Sequence, residues 1–240
     1  MWARWVLAGV TLLCAGCQLQ MDLALTFDRD GAGDLAVAVT ADPALQAMAR
    51  SAGADPLREL AAAGEELADR GWQTSDTVDD QGMRTVTLSA DFTGPRVFEQ
   101  LAEQLAMALS SPEVDLLTPL TLTVDDEQLL LAGAASLRPT EVVAELGLTP
   151  EQAVALLRDE DGFAYTVAVD MPGEVLDTTA DRQEDGTLRW TVEPGEQVRI
   201  HAVGRRPGPP MWPLVVGALA GLVVAAVVLR RLAVVRRRSG

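Results

Sequence analysis

The sequence contains no lysine, and all nineteen of its cationic residues are arginines. It has one histidine, two cysteines, one tyrosine, four phenylalanines and five tryptophans in 240 residues. Each scarcity removes a class of chemistry or structure. One histidine and two cysteines cannot furnish a four-ligand Cys/His zinc site. Few aromatics beside abundant alanine and leucine mean that any core is aliphatic. Uniform arginine usage with high alanine content points to a GC-rich bacterial genome. A Ser-His-Asp hydrolase would need its nucleophile in a strained turn such as G-x-S-x-G, and no serine lies in that context. Ser51, Ser75, Ser89, Ser110, Ser111 and Ser136 read as caps, turns or strand-face residues.

The two cysteines stand three apart in TLLCAGCQ, near the start of the chain. A redox C-x-x-C sits at the start of a helix in a folded domain, after a strand. This pair instead ends an N-terminal run in which Arg4 precedes the apolar stretch WVLAGVTLL, and Ala15 and Gly16 supply small residues for cleavage. Residues 1–16 therefore read as a secretory signal peptide. The end of that signal resembles a bacterial lipobox, which implies that Cys17 is acylated and becomes the first residue of the mature chain. Cys14 occupies the place where leucine is usual, and it leaves with the signal. The lone remaining thiol then carries lipid, so the folded part has no disulfide, thiolate nucleophile or thiolate metal site.

Charge is divided along the chain. All 35 acidic residues lie between Asp22 and Glu196, while Arg4, Arg230, Arg231, Arg236, Arg237 and Arg238 lie at the ends. The region between those ends holds thirteen arginines against 35 acids, a formal charge of −22 (13 − 35). Such a surface repels a phosphate backbone, so nucleic acid is not an expected partner. Residues 211–229, MWPLVVGALAGLVVAAVVL, form nineteen residues without a charge. As a helix they would be about 28 Å long, close to the hydrocarbon thickness of a bilayer, and are expected to cross it. Trp212 fits an interfacial aromatic, and the arginines at 230, 231 and 236–238 place the tail 230–240 in the cytoplasm. The acidic domain, residues 17–203, is then extracytoplasmic, joined through the proline-rich linker 204–210.

Within that domain, alternating apolar residues predict a hairpin with Leu19, Met21, Leu23 and Leu25 on one arm and Leu35, Val37 and Val39 on the other. Helical spacing follows over 55–71, with Gly71 as a stop, and then strands over 72–78 and 83–92. A helix opening at Pro95 places Val97, Phe98, Leu101, Leu105 and Leu109 on one face. Further strands are expected at 117–124 and 128–136, and helices at 139–146 and 150–159, the last with the capping box Thr149-Pro150-Glu151-Gln152. Strands at 163–171, 188–192 and 197–203 close the domain. The expected fold class is α+β: a curved, mostly antiparallel β-sheet with helices packed on one side, plus the C-terminal transmembrane helix.

Three stretches carry residues that could form a site. Asp28, Asp30 and Gly33 match part of a calcium loop, but Ala32 and Val39 stand where ligands are required, so the stretch reads as a hairpin turn. His201 alternates away from Val198, Ile200 and Ala202 and is expected to face outward. Met171, Pro172 and Gly173 end a strand, and Trp190 alternates in phase with Leu188 and Val192. These four read as a turn and a core aromatic, or alternatively as the rim of an apolar cavity.

That closing segment, VAVDMPGEV followed by EDGTLRWTVEPGEQVRIHA, resembles the end of the LppM-type domain of actinobacterial envelope lipoproteins. The resemblance rests on Met171, Pro172, Gly173, Val175, Gly186 and Trp190, and on the layout between lipobox and apolar C-terminal segment. It implies a non-enzymatic, membrane-anchored envelope lipoprotein with no cofactor or metal, binding a lipid or glycolipid. One alternative is a protein-interaction or scaffold module with a solid core. A weaker one is a hydrolase using carboxylates, for which no pair is singled out. Metabolic labelling with a fatty-acid analogue should mark the wild type and be lost in Cys17→Ala; label persisting in that variant would overturn the lipobox reading.

Overall fold

The structure, a computed structural model, describes residues 18–109, 114–139, 149–159 and 163–206. Strand β1 (Leu19–Phe27) and strand β2 (Gly33–Ala41) form the expected hairpin, paired from Leu19↔Ala41 to Phe27↔Gly33. Buried positions alternate strictly along β1, so Met21, Leu23, Leu25 and Phe27 all point to one side. The turn between the strands is fixed by Asp28, whose Oδ1 accepts from the N–H groups of Asp30 and Ala32 at 2.8 and 2.9 Å.

Helix α1 (Pro43–Ser51) follows β2 directly, with Asp42 as its cap: the Asp42 carboxylate accepts from Leu45 N at 2.7 Å. This helix is absent from the sequence expectation. Helix α2 (Arg58–Leu67) runs into a single 3-10 turn (Ala68–Arg70), and Gly71 stops it in the left-handed conformation at φ 93°. Strands β3 (Gln73–Val78) and β4 (Arg84–Phe92) come next, then helix α3 (Pro95–Leu109). On α3 the buried face is Phe98, Leu101, Ala102, Leu105, Ala106 and Leu109, whereas Val97, expected there, is exposed. Strands β5 (Val114–Val124) and β6 (Gln128–Pro139) form a second hairpin.

Helix α4 (Pro150–Asp159) has the expected capping box: Thr149 Oγ1 accepts from Gln152 N at 3.2 Å, and Gln152 Oε1 accepts from Thr149 N at 2.9 Å. The helix expected at 139–146 lies outside the described residues apart from Pro139, which ends β6. The chain closes with β7 (Phe163–Asp170), β8 (Val175–Thr178), β9 (Arg182–Glu184), β10 (Thr187–Thr191) and β11 (Gln197–Arg205).

The single curved sheet of the sequence reading is corrected by this arrangement. The described residues form two sheets: a seven-stranded one in the order β3-β4-β2-β1-β7-β10-β9, and a four-stranded one in the order β5-β6-β11-β8. The larger is mixed, because β1 and β7 run parallel from Leu19↔Phe163 to Thr26↔Asp170. Period-2 alternation marks one buried face on each strand but does not say which sheet that strand joins. The second expectation in that reading, a C-terminal transmembrane helix, is not shown: among the described residues no helix is long and apolar enough to cross a membrane. Segment 211–229, with Trp212, and the arginines at 230, 231 and 236–238 lie outside the described residues.

One continuous core joins the inner faces of both sheets and α3. Leu23, Leu35, Val37 and Leu88 from the large sheet share it with Leu117, Leu120, Leu129, Leu131 and Ile200 from the small one. At the large sheet's end, Phe98 of α3 meets Phe27 and Phe92, with ring centroids 5.5 and 5.1 Å away in edge-on geometry. Phe98 itself is fully buried. Truncation by Phe98→Ala is expected to cost about 3–5 kcal/mol of stability, through lost burial and the cavity left behind. Urea denaturation monitored by circular dichroism measures it, and a loss under about 1 kcal/mol would contradict the central placement of this ring.

Candidate functional site

The closing quarter of the described chain crosses repeatedly between the sheets. From β7 in the large sheet it passes to β8 in the small one, returns to β9 and β10, and ends on β11 in the small sheet. The first crossing is the Met-Pro-Gly step. Met171 is buried in the shared core, and its Cε is the atom nearest to where a Cβ on Gly204 of β11 would stand, at 2.9 Å. Pro172 is half-buried and Gly173 exposed, with Gly173 at φ 84°, a left-handed conformation that glycine adopts without steric cost. Met171, Pro172 and Gly173 thus lead from solvent into the interior at the rim of β11.

Trp190 sits apart from that step, opposite Val167 on β7, while Met171 lies just beyond the end of β7. The indole is fully buried among core residues of both sheets. Its one polar atom, Nε1, donates to Thr179 Oγ1 at 3.2 Å. Thr179 lies on the return crossing after β8, and its hydroxyl also donates to Arg199 O at 2.6 Å and accepts from His201 N at 3.1 Å. One proton and two lone pairs are all in use. This hydroxyl therefore links a buried side chain of the large sheet to the backbone of the small one.

Tyr165 supplies a second such link. Its ring is buried on β7 and its hydroxyl donates to Leu116 O on β5 at 3.3 Å. Burial pushes the phenol well above its ordinary pKa, so it remains a neutral donor. His201 faces outward on β11, as the alternation indicates, with Nε2 3.3 Å from Asp177 Oδ2. Cys17 lies outside the described residues.

Two arginines organise the ends of the domain, and neither was singled out from the sequence. Arg84 holds Asp76 with two bonds, Nε to Oδ1 at 2.9 Å and Nη2 to Oδ2 at 2.7 Å, and reaches Asp55 Oδ1 at 2.8 Å. The Asp76 carboxyl is held below the usual carboxylate range by this hydrogen bonding. At Asp55 burial pushes upward, but Arg84 and the Leu57 N–H outweigh it, so that group is lowered too. Arg206 follows β11 and donates to Arg29 O at 2.6 Å, Asp125 O at 3.0 Å and Asp30 Oδ1 at 2.9 Å. The carboxylates of the calcium-like stretch are therefore engaged as turn and latch acceptors. Among the described residues, no group of three or more His, Cys, Asp or Glu side chains could hold a metal ion.

What this region can do chemically is hold two apolar sheets in register while leaving a Pro-Gly turn at the margin. The link is testable at Thr179. Replacing it by valine removes the hydroxyl and strands the buried Trp190 N–H, so Thr179→Val is expected to lose about 1–3 kcal/mol in urea titration. Thr179→Ser should keep most of that stability, and equal losses in both variants would show that the hydroxyl is not the source.

Comparison with known proteins bears on the whole of this arrangement. No curated protein matches the chain. The folded domain of LppM from Mycobacterium tuberculosis, solved by NMR, is similar in structure, with a TM-score of 0.51 at 18% identity. That match covers 82% of this chain and 94% of the other, and at such low identity it speaks to the fold alone. The family model described as the LppM domain matches residues 18–206, from the residue after Cys17 to the Arg206 latch. With most of its length under that model, the chain belongs to the LppM-domain family.

Proposed function

We propose that this chain is a non-enzymatic envelope lipoprotein, tethered to the outer face of the cell membrane through acylated Cys17, whose LppM domain binds a lipid or glycolipid. The observation that carries the tether is the position of the domain's first strand. Leu19, two residues beyond Cys17, is already paired on both sides, with Ala41 of β2 and Phe163 of β7. Two residues of extended chain span about 7 Å. A lipid on Cys17 would hold the sheet against the headgroup layer with almost no slack.

Support for an amphiphile comes from the apolar character of the interior between the sheets. The inner faces there are leucine, valine and alanine with a few aromatics, and the only described polar residues with buried side chains are Asp42 and Ser136. An acyl chain entering at the Met171-Pro172-Gly173 margin would meet apolar surface throughout, and each methylene removed from water contributes about 0.8 kcal/mol. The domain's formal −22 favours ligands whose headgroups are neutral or cationic, or bear sugars, over polyanions.

The second reading is a protein-interaction or scaffold module with a solid interior. It is favoured by the complete burial of Trp190, Tyr165 and Phe98, which leaves these large rings no exposed edge. Native mass spectrometry separates the two. A soluble form comprising residues 18–206, incubated with envelope lipid extract, is expected to gain a discrete lipid mass. Uptake of no lipid, with none co-purifying, would remove the binding role and leave the scaffold reading.

A further inference from the structure

The residue that follows the lipidation position touches a helix. Gln18 O accepts from Asp42 N at 3.0 Å, and Asp42 is the cap of α1. Helix α1 therefore begins beside the point where the chain reaches Cys17. It also differs from the rest of this acidic domain. Residues 43–54, PALQAMARSAGA, hold no carboxylate and one arginine. No residue of α1 is buried, although Leu45 packs on the small cluster of Ala41, Leu57 and Val86.

The helix is nevertheless fixed in orientation. Gln46 Nε2 donates to Ala41 O and to Gly82 O, both at 2.9 Å, which pins its inner side to the end of β2 and to the β3–β4 turn. Pro43, Ala44, Ala47, Arg50 and Ser51 are left exposed, with Met48 half-buried. Beside it, Asp79 and Asp80 are both exposed in that turn, and the Asp79 carboxylate is folded back on the N–H groups of Gln81 and Met83. The outward side of α1 is thus small, apolar and rimmed by a cation.

We infer that α1 is a membrane-contact element: it lies on the bilayer surface beside the acyl anchor, with Ala44, Ala47 and Met48 against the interface and Arg50 toward lipid phosphate. This inference rests on the acylation of Cys17. A helix with so little apolar area would bind a bilayer weakly alone. Tethered at Gln18, it meets the surface at high effective concentration, so a weak interfacial preference suffices to orient the domain. The domain as a whole, formally −22, would be repelled by an anionic leaflet, and the carboxylate-free stretch 43–54 is where that repulsion is weakest.

The test uses the full acylated chain in phosphatidylcholine/phosphatidylglycerol vesicles. With the Cys17 sulfur capped by lipid and Cys14 removed with the signal, Ala47→Cys offers a single thiol for an environment-sensitive fluorophore. Asp91→Cys, exposed at the opposite end of the sheet, is the reference. The Ala47 label should be quenched by nitroxide-bearing lipids about threefold more strongly than the Asp91 label, as for an interfacial helix. With the label moved to Ala44→Cys, adding Ala47→Glu should lower the quenching toward the reference. Equal quenching at Ala47 and Asp91 would overturn the inference, as would a blue-shifted Ala47 label that lipid nitroxides do not quench, since that marks burial against protein. Fatty-acid labelling of Cys17→Ala is scored separately. Persistent label there removes the anchor reading and this inference with it, whereas lost label with an aqueous Ala47 probe removes only the contact of α1.

Discussion

Two apolar sheet faces closed over one another set the terms for everything else in this domain. A polar group caught between them without a partner would cost more than most single contacts contribute. The chain meets this condition with aromatic residues whose polar tips reach outward. Tyr165 reaches Leu116 O, Trp190 reaches Thr179, and Trp72 donates through Nε1 to Gln104 Oε1 on α3 at 3.0 Å. Each ring adds apolar burial while its tip fixes one layer relative to the next. In a sequence with 4% aromatics, these placements carry much of the specificity that leucine and valine cannot supply.

The same economy governs charge. With thirteen arginines against 35 acids, most carboxylates have no cation to pair with and face water. Two of the engaged arginines join segments distant in sequence: Arg206 closes the end of the domain onto the β1–β2 turn and onto Asp125 in the β5–β6 turn, and Arg84 joins β4 to β3 and to the segment before α2. Such partly exposed pairs contribute modest energy, but their forked geometry fixes loops that have little apolar surface to bury. Other aspartate carboxylates serve their own turns, as those of Asp28, Asp79 and Asp125 do by accepting from N–H groups two to four residues ahead.

Much of the local structure was legible in the sequence because local rules decide it. The β1–β2 hairpin, the Gly71 stop, the Pro95 start and the Thr149 capping box all depend on residues within a few positions of one another. What was not legible depends on distance. The parallel pairing of β1 with β7 joins Leu19 to Phe163, and no spacing rule reaches across that separation. The division into two sheets is likewise invisible to alternation, which is satisfied whichever sheet a strand enters. Helix α1 had a readable start in Asp42-Pro43, but its alanine-rich, weakly patterned body hides the period that marks a packed helix. Thr179 could not be found at all, since its role comes from three partners brought together by two crossings between the sheets.

The place of β1 gives this topology a mechanical consequence. A strand continuous with an anchor at an edge of the sheet could be peeled away one residue at a time. Here β1 lies inside the large sheet, paired with β2 over nine residues and with β7 over eight. Tension applied at Cys17 would load two ladders in shear, along the strand direction, where many hydrogen bonds must break together. The buried side chains of β1 add to the resistance, because Met21, Leu23, Leu25 and Phe27 would have to slide past the core by whole side-chain repeats. The parallel β1–β7 pairing, which no spacing rule foretells, is therefore also what makes the first strand of the domain suited to bear an anchor.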